Sequence, residues 1–204
     1  LLRLGWSHGD DEIIPRDKAV EWFDLEHIGK SPAKFDVAKL ESLNAHYINE
    51  TSAEELVELA APFLEENHNI AIDNIGKQRI IEGIDELKSR SKTLIQFAAD
   101  AAFYAKKTPL DYTEKAQNTL IESKDILEEL QSEFSALEKI TSDDVQNICK
   151  QIAAEKKDGK MGKVAMPLRA AITGTTASPS VFHAAEILGK DEVVLRIQDA
   201  IKRI

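Results

Sequence analysis

Apolar side chains recur at helical spacing along most of this chain, and no pair of segments shows the strict alternation of a half-buried strand. The segment 51–64 is typical, because Thr51 or Ser52 can cap a helix whose apolar residues then lie on one face. β-branched residues also fall at helical spacing. The sequence therefore predicts an all-α fold.

Three later helices can be placed in the same way. Apolar residues spaced along 120–137 predict one long helix. Thr141-Ser142-Asp143 can cap the next helix, and a last helix follows Gly189-Lys190-Asp191.

Proline and loop residues suggest three units along the chain. Pro109 disfavours helix at Thr108, so we divide the helical body into 48–108 and 109–204. Residues 1–47 hold both tryptophans and two loops, and we interpret them as a connector with short helices near 17–23 and 36–43. Because the sequence does not begin with Met, we expect it to be a piece of a longer protein.

Composition excludes several classes of protein. No apolar run approaches the roughly 20 residues of a membrane span, so no membrane role is expected. Cys149 is the single cysteine, which excludes an internal disulfide, argues against a structural zinc site and fits a reducing compartment, either the cytoplasm, which we expect, or an organelle matrix. The net charge of −10 argues against indiscriminate binding to nucleic acid, whose affinity comes from summed positive charge.

A basic island nevertheless lies within this acidic chain. Six basic residues against two acidic ones fall between Lys150 and Arg169, and such a patch indicates a negatively charged partner such as RNA. Pro167 can begin a helix, Gly174 can end it, and Ser178-Pro179 can begin the next. Arg169 would then lie in the first turn of a short helix.

A second basic cluster spans 77–107 and has two interpretations. Taken alone, it is explained most simply as a solvated helix face. Arg90 stands out because Ser91-Lys92-Thr93 follows it and can break the helix. A guanidinium at such a break can reach a base edge with two parallel hydrogen bonds, which lysine cannot do.

The residues supply no recognisable active site. Neither a Ser/His/Asp or Cys/His set nor a glycine-rich phosphate loop can be assembled from the spacing, so no catalytic residue is assigned. A helical protein-interaction module with no RNA role is the alternative, because acidic faces such as 54–66 would suit a basic protein partner.

Several blocks together resemble bacterial-type glutamyl-tRNA synthetases, in the part that follows their catalytic core. The blocks keep the family order over essentially the whole chain and are LGWSHGDDE at 4–12, FDLEHI at 23–28, KSPAKFD at 30–36, LNAHYI at 43–48, RSKTL at 90–94 and PLRAAITG at 167–174. The resemblance implies an α-helix cage of two helical anticodon-binding subdomains preceded by a short connector.

The same resemblance implies a function for the longer protein. It would be a class I ligase that attaches glutamate to tRNA(Glu), with ATP and Mg²⁺ acting in a catalytic domain that precedes this chain. The chain itself would bind tRNA(Glu) as a monomer, hold no cofactor and be inactive alone. His27-Ile28-Gly29-Lys30 and Lys160-Met161-Gly162-Lys163 are similar to the HIGH and KMSKS signatures of that class, but no buried strand precedes His27, so neither is assigned to catalysis.

The resemblance also assigns RNA-binding residues. Arg90 falls on the arginine that faces the third anticodon base in enzymes specific for tRNA(Glu), and Arg169 on the arginine that contacts the first base. Ser178, Pro179 and Val181 fall on the loop and helix start around that first base, where the family often has Thr and Leu at the outer two positions. Unstacked anticodon bases expose their edges to such residues, while Lys160 and Lys163, with Lys156 and Lys157, suit loop phosphates.

Overall fold

A computed structural model describes residues 2–30, 32 and 34–204, apart from the side chain of Arg3. Leu1, Ser31 and Ala33, all within the predicted connector, lie outside the described residues. Apart from a 3-10 turn at Leu2–Leu4, the regular elements in this part of the chain are α-helices, which confirms the all-α prediction. They are α1 Arg16–Trp22, α2 Val37–Glu50, α3 Ala53–His68, α4 Asn74–Glu82, α5 Ile84–Arg90, α6 Leu94–Ala105, α7 Glu114–Ile121, α8 Lys124–Ala136, α9 Ser142–Lys156, α10 Gly162–Thr173, α11 Val181–Leu188 and α12 Lys190–Lys202.

Side-chain caps fix the helix starts that the sequence predicted. Ser52 accepts a hydrogen bond from the backbone N–H of Glu55 at 3.2 Å at the start of α3. Thr141 and Asp144 form a reciprocal capping box at the start of α9. Gly174 ends α10 in the left-handed conformation at φ 80°, as predicted.

Two helix predictions are wrong. Pro167 lies inside α10 instead of opening it, and Arg169 is therefore in the middle of the helix. Burial of Val164 and Leu168 on one side of α10 outweighs the cost of the proline, which removes one N–H and crowds the preceding turn.

The predicted long helix over 120–137 is two helices, α7 and α8. The chain turns at Glu122–Ser123, and the carbonyl of Ser123 accepts the first hydrogen bonds of the new helix from Ile126 and Leu127. Buried Leu120 of α7 is followed at seven-residue intervals by buried Leu127 and Phe134 of α8, so the apolar spacing continues across the turn and cannot reveal the break.

The predicted connector holds α1 and the larger part of α2. Its two helices are confirmed, although α2 continues past residue 47 to Glu50. Trp6 is its buried anchor, with Phe23 against it at 5.8 Å between ring centroids, and His8 stacks on Trp22 at 4.4 Å. Most of the exposed large apolar side chains of the described residues also lie here.

One continuous core joins the residues on both sides of Pro109. Its buried apolar side chains come from α2 through α12, and the main packed pairs are α3 with α6, α8 with α12, and α7 with α10. The division at residue 109 therefore stays a prediction about units that share a core.

Arg196 of α12 lies inside this core with no exposed surface. Its guanidinium donates to the carbonyls of Phe103 at 2.9 Å, Ile172 at 2.6 Å and Lys106 at 2.7 Å, and its Nε donates to Glu192 at 2.7 Å. Burial lowers the pKa of Arg196, and Glu192 counteracts this. The ends of α6 and α10 are thus held to one side chain of α12.

Cys149 of α9 is also fully buried, and burial raises the pKa of its thiol to about 12. Among the residues that the structure describes, none of the helices has both the length and the apolar character needed to cross a bilayer.

Candidate nucleic-acid interface

Arg90 is the last residue of α5, at the break between helices that the sequence predicted. Two hydrogen bonds stiffen this break. Ser91 is buried and donates from its hydroxyl to the carbonyl of Leu87 at 2.7 Å, while Thr93 caps α6 by accepting from the N–H of Gln96 at 3.1 Å. Arg90 is therefore displayed from a fixed turn.

Asp100 of α6 is the acidic neighbour of Arg90. Its carboxylate lies 3.9 Å from the Nε of Arg90, a separation that leaves the ion pair loose. Burial raises the pKa of Asp100, and the positive charge of Arg90 lowers it in part. The Arg90 side chain remains 44% exposed, so its terminal nitrogens are accessible to a ligand.

Arg169 lies on α10 beside the same surface. Burial lowers the pKa of its guanidinium, and the positive charge of Arg90 lowers it further, so Arg169 lies within range of the Arg90 charge. Within the described residues, the buried Nε of Arg169 has no hydrogen-bond partner. An unpaired buried donor costs about 1–3 kcal/mol, a cost that an incoming acceptor would offset.

The segment 178–181 joins the loop that follows α10 to the first residue of α11. Ser178 is 8% exposed and its hydroxyl donates to the carbonyl of Pro179 at 2.9 Å, while Pro179 is buried and Val181 is 1% exposed within the core. Ser180 caps α11 by accepting from the N–H of His183 at 3.5 Å. These three predicted residues therefore shape the surface and offer few side-chain atoms to a ligand.

A carboxylate connects this segment with α5. Glu86 accepts a hydrogen bond from the backbone N–H of Ser180 at 2.7 Å and lies 3.1 Å from the Nδ1 of His183. Because Glu86 is one helical turn before Arg90, both face the same side of α5. The structure thus connects the side of α5 that carries Arg90 with the 178–181 segment, and Arg169 lies within range of the Arg90 charge.

Four of the five lysines of the basic island form two pairs that differ in their contacts. Lys156 and Lys157 form ion pairs with α8, with Glu129 at 2.6 Å and Asp125 at 3.4 Å. Lys160 and Lys163 are exposed and have no ion-pair partner among the described residues. Lys163 precedes Arg169 by roughly 9 Å along the axis of α10, and neither lysine touches Arg90 in the described contacts.

Sequence reasoning missed Glu86, His183 and Asp100. Glu86 and Ser180 are 94 positions apart, and no local pattern reveals such a pairing. Asp100 stands four residues after Gln96 in an otherwise mostly apolar helix. This polar spacing was the one local pattern that could have marked Asp100 as part of the surface near Arg90. In the part of the chain that the structure describes, no group of three or more His, Cys, Asp or Glu side chains could hold a metal ion.

Comparison with known proteins identifies the class to which this surface belongs. The anticodon binding domain family matches residues 55–201. This range covers most of the chain and includes both arginines, so the chain belongs to the anticodon binding domain family.

Individual relatives carry more specific names. The chain is 43% identical over 201 residues to "Glutamate--tRNA ligase 2" of Rhodospirillum rubrum and 40% identical over 200 residues to the protein of the same name from Rickettsia felis. These alignments cover 98% and 97% of the chain but 43% and 42% of the relatives. The chain therefore spans less than half the length of these relatives.

Solved structures agree in fold. A glutamate tRNA ligase from Elizabethkingia meningosepticum, in complex with its amino acid, matches with a TM-score of 0.77 and 29% identity over 98% of the chain and 39% of that protein. The glutamate-tRNA synthetase of Elizabethkingia anophelis matches with a TM-score of 0.72 and 28% identity.

Proposed function

We propose that this chain is the anticodon-reading part of a glutamate–tRNA ligase, which attaches glutamate to tRNA(Glu) with ATP in the cytoplasm. One observation carries the proposal most directly. Arg90 and Arg169 come from different helices within range of each other's positive charge, and the buried Nε–H of Arg169 has no acceptor among the described residues. A negatively charged or carbonyl-bearing ligand would relieve both costs.

The roles within the site follow from the chemistry of an RNA loop. Arg90 is proposed to pair with the third anticodon base and Arg169 with the first, since a guanidinium fork suits the acceptor edge of a base. The Ser178–Pro179 turn and Val181 would form the wall around the first base. Lys160 and Lys163 would contact phosphates, which position the RNA without reading its sequence.

The remaining activity belongs to the longer protein. ATP and Mg²⁺ are proposed to act in a catalytic domain outside this chain, and the chain alone to bind tRNA as a monomer without ligase activity. The exposed apolar side chains of the connector, including Val20 and Leu25, would suit contact with such a domain.

A gel-shift assay tests the proposal. The chain should bind tRNA(Glu) more tightly than a scrambled RNA of equal length, and Arg169→Ala should weaken that binding. Lys202→Ala is the matched control, because it removes one positive charge from an exposed position on α12. Equal affinity for both RNAs would contradict the proposal and would favour a protein-interaction module.

A further inference from the structure

The carboxylate of Glu86 in α5 bonds to the start of α11 through both of its oxygens. One oxygen of Glu86 accepts the N–H of Ser180 at 2.7 Å, and the other lies 3.1 Å from His183 Nδ1. When that ring nitrogen carries a proton, it donates to the carboxylate. The Glu86 side chain is 33% exposed, so the contact is partly shielded from water.

The position of each partner gives this contact its importance. Glu86 and Arg90 lie on the same side of α5, four residues apart. Ser180 stands between Pro179 and Val181 and is the N-cap of α11. A shift of Ser180 would therefore move the 178–181 segment relative to Arg90.

The main packing contacts of α5 are made with other elements. Its backbone packs chiefly against α6 and α2. Gly83, the N-cap of α5, lies close to Tyr104, whose hydroxyl would be 2.8 Å from a Cβ added to Gly83. The hydrogen bonds of Glu86 thus fix the position of α5 relative to the start of α11. The dipole of α11 also favours a carboxylate at its N-terminus.

We propose that Glu86 is a positioning residue that sets the spacing between Arg90 and the 178–181 segment, so that neighbouring anticodon bases are recognised as one unit. This inference rests on the proposed function. Glu86 itself touches no base: it acts by keeping the base-reading parts in register.

The test measures discrimination, which a merely stabilising contact would not change. The probes are the anticodon stem-loop of tRNA(Glu) and the same stem-loop with its third anticodon base replaced by G. The readout is the discrimination ratio, which is the dissociation constant of the altered stem-loop divided by that of the tRNA(Glu) stem-loop, both measured by fluorescence anisotropy. Glu86→Ala should reduce this ratio by at least about fivefold, the lower end of what one bidentate base contact contributes.

Two further variants separate geometry from charge. Glu86→Gln should keep the ratio, because its amide oxygen can accept from Ser180 while its amino group donates to a neutral His183. Asp85→Ala removes a carboxylate from the adjacent, exposed position and should also keep it, since Asp85 has no polar partner among the described residues.

A shorter side chain guards against loss of folding. If Glu86→Ala fails to give the helical circular dichroism of the parent, Glu86→Asp retains the charge but withdraws the carboxylate from Ser180, and it should lower the ratio in the same way. A lowered melting temperature with an unchanged ratio in whichever variant folds would overturn the inference.

The two proposals fail in different ways. If the parent chain does not prefer the tRNA(Glu) stem-loop over a scrambled one, the proposed function and this inference are both wrong. If the parent discriminates and Glu86→Ala discriminates equally well, the function stands and the role of Glu86 is wrong.

Discussion

The two arginines at the interface differ in what surrounds them. Arg90 has a half-exposed side chain with a loose acidic neighbour, whereas Arg169 is more enclosed and has one buried donor that finds no partner in the described part of the chain. The exposed guanidinium of Arg90 can replace its hydrogen bonds to water with hydrogen bonds to a base edge at little cost in free energy. The buried donor of Arg169 would gain the larger benefit from a ligand, because an unpaired buried N–H costs more than one that faces solvent.

Arg90→Gln should relax discrimination at the third anticodon base, where tRNA(Glu) and tRNA(Gln) differ. The loss of one bidentate contact is worth about 1–3 kcal/mol, roughly 5- to 150-fold in the ratio of dissociation constants for the two stem-loops. Lys92→Gln is the control, as it removes a positive charge two residues away on an exposed side chain. An unchanged ratio in Arg90→Gln would refute the assignment.

Lys163→Gln should weaken binding to both stem-loops equally, because a phosphate contact carries no sequence information. The plot of log affinity against log salt concentration should lose about 0.7 from its slope, the value for one phosphate on a single strand. Lys139→Gln, an exposed lysine outside both basic segments, should leave the slope as it is. A change in discrimination would show that Lys163 contacts a base instead.

At the scale of the helices, the loop after α10 is held by its glycine. Gly174 has φ 80°, and a Cβ added there would meet the carbonyl oxygen of Asp111 at 2.5 Å. Its own carbonyl accepts from the N–H of Thr113 at 3.0 Å. The path from Arg169 to the 178–181 segment is therefore pinned to the start of α7.

Gly174→Ala should destabilise the protein by more than backbone strain alone. A residue with a Cβ in this conformation costs about 1–2 kcal/mol, and the close approach to Asp111 adds to it. Gly159→Ala is matched, because Gly159 has φ 72° and nothing within 4 Å of an added Cβ. Urea titrations should give the larger loss of unfolding free energy for Gly174→Ala, and equal losses would contradict the steric explanation.

Local sequence signals predicted most helices but not the contacts between distant helices. Ser52, Thr141 and Gly174 mark helix ends because the groups they satisfy lie within a few residues. The predicted helix start at Pro167 was wrong because burial of the apolar side of α10 outweighs the cost of a proline inside the helix. The arginines and exposed lysines of the site could be proposed from sequence, whereas Glu86 could not, because its partner is brought to it only by the packing of α11.

At the scale of the molecule, Arg196 joins the two predicted helical units. Arg196→Met would leave the carbonyls of Phe103, Ile172 and Lys106 without this donor in a buried place. We expect the free energy of unfolding to fall by about 3–5 kcal/mol, as when one partner of a buried ionic network is removed.

Arg203→Met gives the comparison at the surface. Arg203 donates to the carbonyl of Leu110 at 2.5 Å and to Asp199 at 3.1 Å, but its side chain is 40% exposed. Its loss should cost about 1 kcal/mol or less, because water can replace the lost donor. Similar denaturation midpoints for the two variants would show that Arg196 does not hold the units together.

The burial of Cys149 makes this chain convenient for optical work. A thiol inside α9 whose pKa is raised to about 12 stays protonated near neutrality and resists maleimides. A cysteine introduced by Lys160→Cys would then be the one thiol that a dye can reach, at an exposed position within the basic island. One fluorophore could thereby follow the arrival and departure of a nucleic acid in real time, without any cysteine having to be removed first.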